Sequence, residues 1–550
     1  MEQRAGAGEY RQSGASWAKG AAVLGIAAIV SKLLGTLQKI PLQNIAGDGA
    51  YGIYTIVYPF YILILFMATA GFPIAISVFV AERLTRGDHA GARRVLEVST
   101  VLLLLSGSAA FAAMYFGADR IADWIGNSQT APAIRSVSWA LLFIPVMSAL
   151  RGYYQGQGNM LPTAVSQVVE QFVRVGTMLL LLLLLTAQQA ADRVIAAGAT
   201  FGAVTGACAG MLLMLIYWQR DKTSRRAAPH TNLQPAESRM RLAGKLARYA
   251  IPVCLGAIAL PVMHIVDSFT LPRLFQQDGM SEEQVLGLLG VYARGQPLVQ
   301  LVAMLISAMA AALVPAIAEA MASKDNRALQ TRASVSIRIT WVFGAAASAG
   351  LAAMAAPINW MLYKDDQGTS VMMILAFTAV FSMLNIISAS VLQGMGHVRI
   401  PAVNMLGAAV VKLGLNFVLT PIMGMEGAAL AGVIAFALAA AANLLAIARL
   451  ADVKLRIFAY LPKTLLALVL MIAVVRFSNW GLAEVLTDVI PGRRMMNTII
   501  AMLGITGGAL VFGLAAVKLR VIGAEELRLI PGGSSRIVPM LQKLRFIRDA

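Results

Sequence analysis

The chain has 550 residues, of which 58% are hydrophobic and only 13% are charged. Soluble domains carry about 25% charged residues, and the mean hydropathy of this sequence is +0.72. These values exclude a soluble enzyme, a disordered chain and a disulfide-stabilised secreted domain. Both cysteines, Cys208 and Cys254, lie in apolar stretches, so no disulfide framework is expected. The composition predicts a polytopic helical membrane protein.

Apolar segments recur along the chain, and most reach the roughly 20 residues that cross a hydrocarbon core. Backbone polar groups in lipid must be hydrogen-bonded within their own segment, so each span is expected to be a helix. The prediction is an all-α fold with fourteen transmembrane helices. The predicted spans are 18–40, 53–80, 95–117, 134–150, 162–185, 194–217, 246–269, 294–320, 333–357, 370–392, 401–421, 427–448, 461–478 and 496–518. Gly202, Gly206 and Gly210, each four residues apart, would let two helix backbones approach closely.

The formal net charge of +18 is distributed unevenly between alternating loops. Segments 83–94, 220–245, 324–327 and 449–456 are rich in arginine and lysine, whereas the loops containing Asp48, Asp278 and Asp366 are sparse or acidic. By the positive-inside rule, the basic loops are cytoplasmic. Both termini are therefore predicted to be cytoplasmic. We expect the basic tail 519–550 to touch anionic lipid rather than nucleic acid.

Three features recur at one spacing and indicate an internal repeat. Gly52 and Gly290, Gln155 and Gln393, and Arg174 and Lys412 are each separated by 238 residues. Six helices return the chain to the same side of the membrane, so the two copies are parallel. Two parallel six-helix bundles around a central cavity are typical of alternating-access transporters. The predicted domains are an N-terminal bundle (1–217), a basic cytoplasmic linker (218–245), a C-terminal bundle (246–448), two additional helices (449–518) and the tail (519–550).

Ionisable side chains occur inside several predicted spans, where each costs a few kcal/mol to insert. In the first span, Lys32 and Lys39 share one polar face of an otherwise apolar helix. Lys32 is about 21 Å along the helix from residue 18, past the membrane centre. We therefore expect it to face a cavity, whereas Lys39 could also reach the outer interface by snorkelling.

In the fifth span, Glu170 and Arg174 are four residues apart and share a helix face. They form either a self-neutralised structural pair or part of a functional site. Lys412 holds the equivalent position in the second repeat, but Ala408 stands where the first repeat has the acid. Lys412 is therefore the stronger candidate for a functional cation.

The seventh span carries His264 and Asp267, which are candidates for a gate or for an ion pair with Arg294 at the start of the eighth span. The intramembrane charges are positive on balance. A cationic cavity suits an anionic substrate such as a phosphate or diphosphate. The candidate substrate-binding cations are Lys32, Lys39, Arg174, Arg294 and Lys412, against the acids Glu170 and Asp267.

The sequence has no phosphate-binding glycine loop with its lysine, no zinc-binding histidine motif and no nucleophile elbow. It therefore predicts neither an enzyme nor a resident cofactor or metal. The residues leave the energy source open among Na⁺, H⁺ and the membrane potential.

Several motifs together resemble one family. They are Gly35 with Lys39-Ile-Pro41, Gly47-x-Gly49-x-Tyr51-Gly52-Ile-Tyr54, Gly71-Phe-Pro73, Arg151-Gly152-Tyr153-Tyr154-Gln155-Gly156, the stretch from Pro162 to Arg174, and Val314-Pro315-Ala316. This pattern resembles the stage V sporulation protein B and polysaccharide-exporter group. That group belongs to the multidrug/oligosaccharidyl-lipid/polysaccharide (MATE-like) flippase superfamily, which also holds the lipid II flippases.

The resemblance implies a fourteen-helix flippase that moves an undecaprenyl-diphosphate-linked saccharide outward across the bacterial plasma membrane. Its expected partners are this glycolipid and the bilayer, and the protein is expected to be a monomer. In the lipid II flippases, basic residues of helices 1 and 8 line the cavity, and these correspond to Lys32, Lys39 and, approximately, Arg294. Two alternatives remain open: a cation-coupled multidrug exporter of the same superfamily, and a non-transporting scaffold for envelope synthesis.

Overall fold

The computed structural model describes residues 20, 22–69, 71–221, 238–451, 457–487 and 490–521. Within these ranges the regular structure is helical and contains no strand. The predicted all-α class is therefore confirmed. Most of the predicted linker, 222–237, and all of the predicted tail except 519–521 lie outside the described residues.

The chain divides into two compact units, Met1–Gly290 and Val291–Ala550. The helices of the first unit are α1 (22–37), α2 (Lys39–Thr69), α3 (Phe72–Thr85), α4 (His89–Phe116), α5 (Ala118–Ile125), α6 (Ala131–Ser138), α7 (Ala140–Gly156), α8 (Leu161–Ala187), α9 (Asp192–Arg220), α10 (Arg239–Ala257), α11 (Ala259–Gln277) and α12 (Glu282–Ala293), whose last three residues belong to the second unit. Helices α10 and α11 thus lie in the first compact unit, whereas the sequence repeat groups residues 246–269 with the second copy. The domain boundaries drawn from the repeat remain a prediction.

Local sequence explains where the helices of the first unit begin and bend. Helix α4 begins after Asp88, whose side chain accepts a hydrogen bond from the backbone N–H of Gly91. Helix α8 begins with Pro162 in its first turn, where the missing N–H costs nothing. Helix α2 is interrupted at Gly47, which has φ 81° and ψ 178°. Only glycine adopts this conformation without strain, so Gly47 is the point at which the chain changes direction.

The glycine ladder of α9 brings this helix directly against α8. A Cβ atom added to Gly202 would lie 2.6 Å from the carbonyl oxygen of Arg174, and one added to Gly206 would lie 2.6 Å from that of Glu170. No side chain could fit in either place. The close helix approach predicted from these glycines is confirmed, and it occurs where α8 carries its charged residues.

The helices of the second unit are α13 (Gln296–Ala322), α14 (Asn326–Ala353), α15 (Ala355–Tyr363), α16 (Thr369–Gly394), α17 (Arg399–Met423), α18 (Met425–Ala451), α19 (Ile457–Thr487) and α20 (Arg493–Lys518). Aliphatic side chains from α13, α14, α16 and α18 form its core, and the fully buried ones include Ile317, Ile337, Ile387, Val391 and Ile447. These positions recur at helical spacing on α16, because Ile387 and Val391 are one turn apart.

Each unit contains the same helix contact at positions that the repeat relates. In the first unit, a Cβ atom added to Gly156 at the end of α7 would lie 2.7 Å from Val80 Cβ on α3. In the second unit, a Cβ atom added to Gly394 at the end of α16 would lie 2.7 Å from Ile317 Cβ on α13. The two glycines are 238 residues apart and their partners 237. The sequence repeat therefore corresponds to a repeat in packing.

Twelve segments of the described residues are long and apolar enough to cross a membrane. The first, Ala22–Thr85, covers most of the predicted span 18–40 and all of 53–80. The predicted span 246–269 is helical, in α10 and α11, but the described residues there are not among the twelve. The polytopic membrane architecture is confirmed, and the count of fourteen spans stays a prediction.

Candidate functional site

Three charged side chains form a buried group inside the first unit. Glu170 on α8 accepts hydrogen bonds from Arg151 of α7 at 2.9 Å and from Arg174 of α8 at 3.1 Å, one through each carboxylate oxygen. Their side chains are 13%, 16% and 12% exposed, respectively. The pair of Glu170 and Arg174 is thus formed as their spacing predicts. Because two guanidinium groups share one carboxylate, the group carries a net positive charge.

Arg174 also contacts a narrow pocket inside the same unit. Its Nη1 atom donates to the hydroxyl of Tyr58 at 3.3 Å, and the ring of Tyr58 stacks on that of Tyr54 with centroids 5.3 Å apart. The side-chain amide of Gln38 donates to the hydroxyl of Tyr54 at 3.3 Å. The pocket between them is also lined by Thr200 of α9. The hydrogen bond to Tyr58 of α2 therefore directs the Arg174 side chain to this pocket.

The two lysines of the first predicted span differ in their surroundings. Lys39 begins α2, and its side chain is buried, with 8% of the residue surface exposed. Its polar neighbours Thr36 and Gln43 are also buried, at 4% and 6% exposed. Lys32 on α1 is exposed. The polar face predicted from the sequence is therefore buried from Thr36 onward, whereas Lys32 at its beginning is exposed on the surface of the protein.

Lys412 is the buried cation of the second unit. It lies in the middle of α17 with 3% of its surface exposed, and Asn416 and Thr420 follow it at successive turns with 0% and 1%. A Cβ atom added to Gly432 on α18 would lie 4.0 Å from Lys412 Nζ. The small residue thus makes room for the lysine side chain between α17 and α18.

Arg294, also in the second unit, forms an ion pair. Its guanidinium group contacts both carboxylate oxygens of Asp365, at 2.5 and 3.1 Å, and lies over the ring of Tyr363 at 5.3 Å from its centroid. The hydroxyl of Tyr363 donates to the Arg294 carbonyl at 2.9 Å. The sequence analysis proposed an ion pair between Arg294 and Asp267, which stays a prediction, and the structure shows Asp365 as a carboxylate that Arg294 contacts. The positive charge of Arg294 is thereby neutralised by Asp365.

His264 and Asp267 lie on α11 of the first unit, one turn apart and half-buried. A gating role for either residue stays a prediction. Sequence reasoning did not select Arg151, Tyr58 or Asp365 as site residues. Arg151 begins the motif 151–156, but its contact with Glu170 joins two helices. No spacing rule along a single helix reveals such a pair.

Each compact unit contains buried cations that can contact an anion in a membrane setting. Lys39 and Lys412 are buried lysines, and Arg151 and Arg174 together exceed the charge of Glu170. Guanidinium groups match the oxygen geometry of phosphate, and ammonium groups supply point charges. Glu170 is occupied by two arginines, so it does not offer a carboxylate to a cationic ligand.

Comparisons with known proteins agree with this architecture. The sequence pattern of the family described as polysaccharide biosynthesis protein matches residues 17–321, and the MatE pattern matches residues 252–418. Among relatives from Bacillus subtilis (strain 168), the uncharacterized membrane protein YabM is 33% identical over 78% of this chain and 79% of its own length. The lipid II flippase MurJ is 28% identical over 94% of this chain and 97% of its own length. Stage V sporulation protein B is 25% identical over 93% and 97%.

Solved structures show the same fold. An inward-facing multidrug resistance MATE family transporter of the MOP superfamily superposes with a TM-score of 0.64 at 18% identity, covering 77% of this chain and 95% of its own. The lipid II flippase MurJ in an inward closed conformation gives a TM-score of 0.63 at 14% identity, covering 90% and 97%. The chain belongs to the polysaccharide biosynthesis protein family, a group of multi-pass membrane transporters within the multidrug/oligosaccharidyl-lipid/polysaccharide flippase superfamily.

Proposed function

We propose that the protein moves a polyprenyl-diphosphate-linked saccharide from the inner to the outer leaflet of the bacterial plasma membrane by alternating access. The substrate class includes lipid II and related precursors of the cell envelope or spore cortex. In this proposal Lys39, Lys412 and the arginines around Glu170 attract the diphosphate, while the saccharide crosses inside the protein. Lys32 remains a candidate for first contact with the headgroup, because it is exposed.

The single observation that carries the proposal is the burial of basic side chains within apolar helices. Lys39 and Lys412 are 8% and 3% exposed. Burying an ammonium group inside the membrane costs several kcal/mol, and basic side chains within membrane helices mark substrate and ion pathways. The relatives add support, since two of them are a lipid II flippase and a stage V sporulation protein that align along nearly the whole chain.

The test is complementation in cells depleted of their lipid II flippase, combined with a measurement of lipid II in the outer leaflet. We expect the protein to restore both growth and outward-facing lipid II. Restored growth without surface lipid II would contradict direct transport. Failure of both, at normal membrane abundance, would exclude lipid II and leave another lipid-linked saccharide to be tested in vesicles.

The multidrug alternative is tested in the same cells by drug accumulation. A cation-coupled exporter of cationic drugs would use an acidic group that is free to bind a cation. The acid of the buried charged group, Glu170, is instead bound by two arginines. We therefore expect drug accumulation to be unchanged by expression of the protein. A scaffold without transport activity would restore neither lipid II export nor drug resistance.

A further inference from the structure

Arg294 is a buried cation whose acidic partner lies nearer the surface of the second unit. Its Nη1 and Nη2 atoms donate to the two carboxylate oxygens of Asp365, at 2.5 and 3.1 Å. The side chain of Arg294 is 1% exposed, whereas that of Asp365 is 35% exposed. The carboxylate that neutralises the buried charge is therefore itself within reach of other molecules.

Contacts other than the ion pair hold Arg294 in place. The hydroxyl of Tyr363 donates to the Arg294 carbonyl at 2.9 Å, and the guanidinium carbon lies 5.3 Å from the centroid of the same tyrosine ring. Tyr363 is itself buried, with 2% of its surface exposed. A guanidinium group is attracted to an aromatic face whichever anion it binds. These contacts therefore keep Arg294 in position when its carboxylate partner is replaced.

The loop between α15 and α16, which carries Asp365, is anchored through its backbone. The side-chain amide of the fully buried Asn359 donates to the carbonyl of Gln367 at 2.8 Å. The Asp365 carboxylate also accepts a hydrogen bond from the backbone N–H of Gln367 at 2.9 Å. Because the loop is fixed at Gln367, rotation of the Asp365 side chain into another staggered conformation is enough to separate its carboxylate from the guanidinium group.

Helix α20 holds α15 from another side. The guanidinium carbon of Arg493 lies 5.7 Å from the centroid of the Trp360 ring, and Nε of Arg494 donates to the carbonyl of Met361 at 3.1 Å. Both contacts are made to α15, the helix that ends at Tyr363. The frame around the ion pair is thus fixed by several helices, and the carboxylate is the part that can exchange.

We propose that Asp365 is an exchange ligand of Arg294, so that its carboxylate and the diphosphate of the substrate bind the same guanidinium group in alternation. In this role Asp365 lowers the affinity of the protein for the diphosphate and speeds its release. The inference rests on the proposed function, in which the substrate carries a diphosphate. It adds a residue that competes with the substrate to the cations that attract it.

The competition follows from the geometry of the guanidinium group. Its planar fork of N–H donors matches the oxygens of a carboxylate and those of a phosphate equally well. Two anions cannot occupy Nη1 and Nη2 together. A buried cation that loses one partner is left uncompensated, which is strongly unfavourable. Asp365 is tethered beside Arg294 at a high effective concentration, so it takes the place of the diphosphate as the substrate leaves.

The first experiment measures binding of farnesyl diphosphate, a soluble polyprenyl diphosphate without a saccharide, to the purified full-length protein in phosphatidylcholine nanodiscs. We expect Asp365→Asn to tighten binding about tenfold, because a neutral amide no longer occupies the guanidinium group as an anion. Arg294→Gln should weaken binding about tenfold or more. Asp366→Asn removes the same charge from the exposed neighbouring position, and we expect it to leave the affinity unchanged.

A combined variant and the transport rate separate exchange from a structural ion pair. Asp365→Asn together with Arg294→Gln should bind farnesyl diphosphate as weakly as Arg294→Gln alone, because the competitor acts only through Arg294. In transport of lipid II, Asp365→Asn should lower both KM and kcat, since tighter binding accompanies slower release. A merely structural pair would not lower KM. Binding by Asp365→Asn that equals or falls below that of the unchanged protein would overturn the proposal.

Chemical restoration of the charge covers the case in which Asp365→Asn fails to accumulate. Asp365→Cys is introduced with Cys208→Ser and Cys254→Ser, and the folded protein is treated with a carboxyethyl or a hydroxyethyl methanethiosulfonate. We expect the carboxyethyl adduct to bind farnesyl diphosphate about tenfold more weakly than the neutral adduct. Equal affinities of the two adducts would also contradict exchange at Arg294.

These measurements distinguish the inference from the proposed function. Absence of farnesyl diphosphate binding in every variant would overturn the exchange at Arg294, and the complementation test would still decide whether lipid II is moved. The expected order of affinities in a protein that moves no lipid-linked saccharide would support the exchange and contradict the proposed function.

Discussion

At the scale of single residues, the charged side chains inside the membrane helices fall into two kinds. Arg294 is neutralised by Asp365, and its ring contact with Tyr363 fixes it further. Lys412 is as deeply buried but lies on a helix without an acid one turn before it. Both residues stay candidates for a ligand contact, and Lys412 is the one that variants can test without removing the Arg294–Asp365 ion pair.

Lys412→Ala should weaken transport of the lipid substrate while membrane abundance stays normal. A charge-assisted hydrogen bond contributes about 1.5–3 kcal/mol, so we expect substrate affinity to fall roughly tenfold to a hundredfold. Lys412→Arg should retain more activity than Lys412→Gln, because charge attracts the diphosphate. Arg399→Ala removes an exposed charge from the same helix and is the control. Normal transport by Lys412→Ala would contradict the role assigned to this residue.

Glu170→Gln should destabilise the first unit. It leaves Arg151 and Arg174 buried beside each other without their shared carboxylate, and breaking a buried ion pair costs about 3–5 kcal/mol. The measurement is thermal unfolding in detergent, with Glu82→Gln as control, since Glu82 and Arg86 form an exposed pair worth about 0–1 kcal/mol. Arg151→Gln combined with Glu170→Gln should recover part of the loss. Equal melting temperatures for the two single variants would show that the buried group adds no stability.

At the scale of helices, small residues decide which elements pack closely. Helix α9 lies on α8 because Gly202 and Gly206 expose their backbone to the carbonyls of Arg174 and Glu170. In lipid no hydrophobic force draws helices together, so close van der Waals packing at small residues contributes to their association, together with interhelical hydrogen bonds. The charged group of α8 is therefore held in place by a helix contact that contains no charge.

Gly206→Ala should lower stability by forcing α9 away from α8. Its new Cβ atom would lie 2.6 Å from the Glu170 carbonyl oxygen, whereas a Cβ added to Gly176 on α8 meets no atom within 4 Å. Gly176→Ala should be neutral or slightly stabilising, since alanine favours the helix by about 1 kcal/mol over glycine. Melting temperatures of the two variants in detergent provide the comparison. A Gly206→Ala protein as stable as Gly176→Ala would argue against tight packing at this ladder.

At the scale of the whole molecule, the chain is a multi-pass membrane transporter of its family with two compact units. The alternation of basic and acidic loops predicts fourteen spans with both termini in the cytoplasm. Helices of the described residues lie at each predicted span, and the orientation stays a prediction.

Reporter fusions test this topology. Fusions after Asp221 and Ala550 should report a cytoplasmic location, and fusions after Asp278 and Asp366 should report the outside. The reason is the arginine and lysine content of the loops around the first two positions and the acidic character of the others. An external signal from the Asp221 fusion would contradict both the orientation and the parallel relation of the two repeats.

The sequence by itself determined the helical membrane fold, the internal repeat and the membership of a flippase superfamily. These properties depend on the length of apolar segments, on loop charge and on motif spacing, all of which are local along the chain. It also indicated the pairing of Glu170 with Arg174, because one helical turn separates them.

Only the tertiary structure decided the partners that come from different helices. Arg151 joins Glu170 from α7, Asp365 neutralises Arg294 across 71 residues, and Gly52 meets α12 through its backbone. No period along a single helix encodes such contacts, since they depend on which helix faces packing brings together. For the same reason the sequence placed Lys32 and Lys39 on one polar face, whereas packing buries Lys39 and leaves Lys32 exposed.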